Sequence, residues 1–165
     1  MEDVVFTLSH WAGVLLAAYG LCACQPATQA GKQEKKQDKK IKVTLVVILA
    51  SDGKEDVDPR LKWIAKEIRK KDPKLTRFQL KKMECRPLAI EEKASFELVD
   101  QKTARVIVKR AADEKNRVEL AIKAPGQVGF VYQSVCGKFL PIITTYQTKS
   151  GERLILAVRV QPCHE

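Results

Sequence analysis

Histidine is almost missing from this 165-residue chain. His10 lies in an apolar N-terminal run and His164 is one residue from the C-terminus. A Ser-His-Asp or Cys-His mechanism would therefore have to rest on His164. Its neighbour Cys163 is no partner, because adjacent side chains on an extended chain point to opposite sides. Residues 42–165 contain no Cys-x-x-Cys pair, and with one histidine they cannot assemble the usual zinc ligand sets. Gly126, Gly129 and Gly137 are too dispersed for a phosphate-cradling loop. The densest acidic group, Asp52, Glu55, Asp56 and Asp58, lacks the spacing of an EF-hand loop and reads as a solvated loop with a helix cap, calcium binding being the alternative. No metal, cofactor or catalytic residue is expected. Aromatic residues make up 6% of the chain, too few for base stacking along a single strand. Phe96, Phe130, Tyr132, Phe139 and Tyr146 fall in strand-like patterns and read as mostly core. Lys and Arg are scattered rather than gathered on one helix, which argues against nucleic acid.

Bases are also lacking in the first 24 residues, which carry Glu2 and Asp3 and no Lys or Arg. What this segment does have is a nearly uninterrupted apolar run over residues 4–24, closing on Leu21, Cys22, Ala23 and Cys24. That close resembles a bacterial lipobox, with Leu21 three before Cys24 and Ala23 directly before it. Small residues Ala17, Ala18 and Gly20 also suit a cleaved secretory signal. The expectation is export with lipid attached to Cys24. An uncleaved single-pass anchor is the alternative, since about 20 apolar residues suffice to span a bilayer, and a buried N-terminal helix of a cytosolic chain is a third. The acidic start and the lysines that follow run against the usual charge rule for export.

Residues 25–41 form a polar tether rich in Lys and Gln, with no side chain suited to a core. Beyond residue 24 the chain holds 30 basic and 18 acidic side chains, a surplus of +12. Six of those bases are the lysines between Gly31 and Val43. A charge run of this kind is ordinarily a solvated segment; its alternative use is attraction to a polyanion such as anionic lipid, nucleic acid or acidic polysaccharide.

Residues 42–165 are expected to form one globular domain of α+β, β-rich class. Residues 43–50 read Val-Thr-Leu-Val-Val-Ile-Leu-Ala, the pattern of a strand buried on both faces. Asp58 and Pro59 make a helix N-terminus. Leu61, Ile64, Ala65 and Ile68 share one helix face with Trp63 at its edge, Arg69, Lys70 and Lys71 suit the C-terminal end, and Pro73 stops the helix. From Phe78 onward the period is two, giving six or seven strands in a mostly antiparallel sheet or sandwich. In the last of them Leu154, Leu156, Val158 and Val160 face one way, and Ile155 and Ala157 on the other face mark a central strand. The helix is expected to pack on one face of the sheet or to close one side of the sandwich.

Cys136 and Cys163 flank the final hairpin, so in an oxidising compartment they are the expected disulfide, with Cys85 left over; three reduced thiols are the alternative. The stretch Asp56, Val57, Asp58, Pro59, Arg60, Leu61, the strand Phe78-Gln79-Leu80, and the closing segments 137–142 and 151–158 resemble secreted or lipid-anchored bacterial proteins of planctomycete or myxobacterial kind. The resemblance spans most of residues 43–163 and implies an envelope address. That family has no known activity, so it implies no site residues.

The functional expectation is a non-enzymatic cell-envelope domain, lipid-anchored or secreted, that binds a protein or polymer partner through a sheet edge or its basic face. Polyanion binding by charge is one alternative. A hydrolase using two carboxylates in a cleft is the other.

Overall fold

The computed structural model describes residues 40–162. The expected signal or anchor, Cys24, Cys163 and most of the tether lie outside them. Nine strands and one helix follow in the order β1 (Ile41–Ser51), β2 (Asp56–Val57), α1 (Lys62–Lys71), β3 (Arg77–Leu88), β4 (Lys93–Glu97), β5 (Thr103–Arg110), β6 (Arg117–Lys123), β7 (Phe130–Val135), β8 (Phe139–Gln147) and β9 (Arg153–Pro162). They form a five-stranded sheet ordered β2-β3-β1-β9-β8 and a four-stranded meander ordered β4-β5-β6-β7. All pairings are antiparallel except the two-residue β2–β3 contact. This is the expected β-rich α+β class, and the helix closes the outer face of one sheet of a sandwich.

The double burial of β1 has a simple cause. Val43, Leu45, Val47 and Leu49 point into the core between the two sheets, while Val46, Ile48 and Ala50 point into a second core under α1. β9 divides in the same way. Leu154, Leu156, Val158 and Val160 face the second sheet, and Ile155 and Ala157 face the helix. Both strands therefore sit in the middle layer of three, where no face is left for water.

A short 3₁₀ turn, Pro59–Leu61, leads into α1. Asp58 accepts the backbone N–H of Arg60 at 3.0 Å and a second bond from its guanidinium at 2.7 Å. Leu61, Ile64, Ala65 and Ile68 are all buried. At the other end the Asp72 N–H donates to Ile68 O at 2.9 Å, and Arg153 of β9 pairs with the Asp72 carboxylate at 2.6 Å.

The bonds from Arg60 hold the Asp58 carboxyl down to about 2, from an ordinary 3.8. A depressed carboxylate pKa means stability that is present above the unfolded value and lost as pH falls through the folded one. Asp58 should therefore contribute to the acid transition between about pH 4 and pH 2. Urea midpoints measured across that window should fall less steeply for Asp58→Asn than for the parent chain; parallel curves would remove Asp58 from the transition.

Four of the five aromatics expected to be mostly core do belong to or pack against a core, Phe96, Phe130 and Tyr146 between the sheets and Phe139 under the helix, and Tyr132 does not. Of the five, only Phe96 is fully buried. Phe130, Phe139 and Tyr146 are half-buried and Tyr132 is 42% exposed. β7 and β8 are edge strands, so their inward-facing side chains have cover on one flank only.

Candidate functional site

A broad concavity lies where the two sheets end side by side. β7 is the edge of the meander and β8 the edge of the five-stranded sheet. A groove of about 710 Å³ runs along both edges and under α1. Its floor is a stack: the Phe139 ring lies 5.6 Å from Trp63 at 53°, and the Arg159 guanidinium sits 4.7 Å from the centre of the same ring on β8's neighbour β9. Trp63 is 44% exposed, so its indole covers Phe139 while still offering surface. Tyr132 hangs over the groove from β7.

The charge of the groove is positive. Lys71, Lys138 and Arg159 line it against one carboxylate, Glu67, and Glu67 is paired with Lys70 at 2.6 Å. Arg159 Nε is buried with no hydrogen-bond partner among the described residues. A guanidinium stacked on an aromatic face in the wall of a groove is suited to a carboxylate or other planar anion.

β7 adds a second kind of contact. Its sequence Phe-Val-Tyr-Gln-Ser-Val carries no charge and no proline, and its outer backbone edge has no strand beside it. The other edges are blunted in the usual ways. β3 exposes Lys81, Lys82, Arg86 and Pro87, β4 is five residues long with Lys93 and Glu97 at its ends, and β8 has Pro141 within it.

Sequence-predicted residues fall elsewhere. Cys24 and Cys163 lie outside the described residues, and so do His10 and His164. Cys136 is half-buried just before β8; burial first, and the nearby Asp113 charge second, push its thiol upward, which makes it a poor nucleophile. Gly137 N donates to Val160 O at 2.8 Å, so Cys136 lies beside the last residues of β9, which lead into Cys163. In the acidic loop, Glu55 pairs with Arg69 at 2.7 Å and Asp58 with Arg60. Among the described residues no cluster of three His, Cys, Asp or Glu side chains is placed to hold a metal ion. Sequence reading missed the groove because α1, β7, β8 and β9 each contribute to it from a different part of the chain. One signal was legible: β7 is a strand without a charge beside strands full of them.

These features define a helix-covered two-sheet sandwich with one aromatic, cationic groove along its unprotected edge. Compared with known family models, curated proteins and solved structures, the chain matches none.

Proposed function

We propose that the chain is a non-enzymatic binding domain of the cell envelope, lipid-anchored or secreted, whose protein or polymer partner seats in the groove between β7 and β8. The observation that carries this reading is the convergence there of an unprotected strand edge, the Trp63–Phe139–Arg159 stack and a positive rim. Strand addition would supply backbone bonds, and the stack a side-chain pocket. Binding has more support than hydrolysis, because the groove holds one carboxylate, already paired, where a hydrolase needs two.

The address rests on the N-terminal sequence, with Cys24 as the lipidated residue and Cys136–Cys163 as the disulfide of an exported domain. In the loop-entropy treatment such a bond contributes about 3 kcal/mol. The resemblance to secreted or lipid-anchored bacterial proteins supports the same address.

One preparation tests both parts. A photo-crosslinking residue is placed at Tyr132, or at Met83 on the far edge strand, in the chain expressed in a bacterial host. The expected result is a discrete adduct from position 132 that is lost with Phe139→Glu, and none from position 83. Equal adducts from both positions, or none from either, would count against the groove. Intact mass of the uncrosslinked chain should give a lipid-modified species beginning at Cys24 and two hydrogens short of the free thiols; a full-length mass would favour the uncleaved anchor.

A further inference from the structure

The outer face of the meander, turned away from the first sheet, carries an ordered pattern that the groove does not use. Strand register lays it out. Lys93 pairs across to Ile107, Ile107 to Ala121, and Ala121 to Val131, so three aliphatic side chains form a row ending in one cation. The adjacent row runs Ser95, Arg105, Lys123. Together they bound a shallow hollow of about 310 Å³ lined by Lys93, Arg105, Ile107, Ala121, Lys123 and Val131 among others. A second hollow, of about 450 Å³, shares Arg105 and Lys123 and adds Lys102. Neither hollow has an Asp or Glu in its lining. Among the described residues none of Lys93, Lys102, Arg105 and Lys123 has a carboxylate within ion-pair distance. Of the acids nearby, Glu91 holds Lys109 at 2.8 Å, Glu119 lies 4.0 Å from Arg110 and Asp100 accepts a bond from Tyr146 OH at 2.9 Å, which leaves Glu97 at the end of β4 as one negative charge on this face against the four bases.

Directly after Lys123 the chain leaves the sheet through the loop 124–129. Val128 in that loop is 91% exposed, the highest value among the large apolar side chains described, and Val131 at the start of β7 is 60% exposed. The loop joins the row that ends in Lys123 to the row that ends in Val131, so two exposed valines follow the cationic row in the chain, and of the four bases Lys102 also rests over the Tyr146 ring at 5.6 Å.

We infer that this face docks on an anionic lipid surface, with Val128 and Val131 entering the boundary between headgroups and acyl chains and Lys93, Lys102, Arg105 and Lys123 meeting the phosphates. Charge complementarity selects the lipid. Each base near an anionic surface contributes about 1 kcal/mol, and long Lys and Arg stems let the charge stay at headgroup level while an apolar tip goes deeper. Val128 separates this occupant from a soluble polyanion. A dissolved polymer is held by the four cations alone and leaves Val128 in water, whereas a bilayer offers both layers at once. The inference is independent of the groove, which opens along the sheet edges.

The test uses the full chain reconstituted in vesicles, so that any anchoring by the N-terminal run is common to all samples. A polarity-sensitive fluorescent amino acid replaces Val128, or Met83 on the other sheet as control. Spin-labelled lipid reports depth. With 30 mol% phosphatidylglycerol in phosphatidylcholine, emission at position 128 should shift to the blue and be quenched, and position 83 should not change. Arg105→Glu with Lys123→Glu should lower the docked-to-undocked ratio by roughly thirtyfold or more. Raising salt from 0.1 to 0.5 M should weaken docking as well. Equal quenching on pure phosphatidylcholine, or none on either vesicle, would overturn the inference. So would a probe at 128 that stays in water while the same charge reversals abolish binding to heparin, since that outcome assigns the face to a soluble polyanion. Position 128 is in an exposed loop, so loss of folding does not confound its substitution, and circular dichroism checks the charge-reversed chain.

Discussion

Phe78→Ala should destabilise the domain by about 3–5 kcal/mol, the range for truncating a large buried aromatic. Phe78 is 1% exposed and belongs to the core beneath α1. Its backbone holds three elements together: it lies opposite Ala50 of β1 and Val57 of β2, and its carbonyl accepts the N–H of Asp58 at 3.1 Å. Its ring supports the Arg69 guanidinium, 5.4 Å from the centroid. From that position Arg69 donates to Thr76 O at 2.8 Å and pairs with Glu55 at 2.7 Å, closing the β2 loop and the α1–β3 connection over the core. Removing the ring leaves a cavity and also frees Arg69. The substitution should therefore be non-additive with Arg69→Ala, by about 0.5–1 kcal/mol in a double-mutant cycle. Guanidinium denaturation with an unchanged slope is the measurement. A loss below about 1.5 kcal/mol would mean that the helix layer collapses onto the site and is not a packed core.

How far the sequence could be read follows from where each residue's neighbours come from. β1 and β9 were legible as central strands because burial on both faces writes a continuous apolar run into consecutive residues. The face of α1 was legible for the same reason: Leu61, Ile64, Ala65 and Ile68 report one neighbour at a regular period. β3 was legible only at its start. A bulge opposite Val47 and Ile48 leaves Lys81 without a partner, and the alternation that begins at Phe78 and Leu80 changes phase there. Past the bulge the strand runs along an open edge, so Lys82, Glu84, Arg86 and Pro87 look like a loop although they are paired with β1. β2 has two residues and no period to detect. The partial exposure of the aromatics of β7 and β8 was hidden by the same physics in reverse. Alternation tells which face a side chain takes and says nothing of whether another strand lies beside it. The groove is built from that missing information, and so is the outer face of the meander, where Lys93, Ile107, Ala121 and Val131 become a row only once the register is known.

The second large effect is expected at Gly126, in the loop that carries Val128. Gly126→Ala should destabilise the domain by about 2–5 kcal/mol, from two sources. The residue has φ +72°, a region that costs a side-chain-bearing residue about 1–2 kcal/mol. An added Cβ would also stand 2.5 Å from Thr145 Oγ1 and 3.1 Å from Tyr146 N, and forced overpacking costs about 1–3 kcal/mol more. The close approach has a structural reason. Between Ile143 and Gln147 the β8 ladder with β9 is interrupted, and the bulged residues turn to other partners. Thr144 Oγ1 donates to Leu154 O at 2.7 Å, Thr145 Oγ1 donates to Gly126 O, and Tyr146 OH donates to Asp100 at 2.9 Å. Gln127 Nε2 returns a bond to Ile143 O at 2.7 Å. The bulge of one sheet and the loop of the other are thus locked together, and only a residue without Cβ lets the backbones come this near. Thr145→Ala removes the closest obstacle but leaves the φ and the Tyr146 backbone in place. In that background the cost of Gly126→Ala should fall by about 1 kcal/mol and stay above zero. Full additivity would show that φ and the Tyr146 backbone set the cost without Thr145. Because the same lock fixes the root of the loop, Gly126→Ala should also weaken docking on anionic vesicles at positions it never touches, with Lys123, Arg105 and Val128 all intact. If docking stayed at the parent level despite the lost stability, the loop's position would be set by the Lys123 end of β6 and not by the bulge.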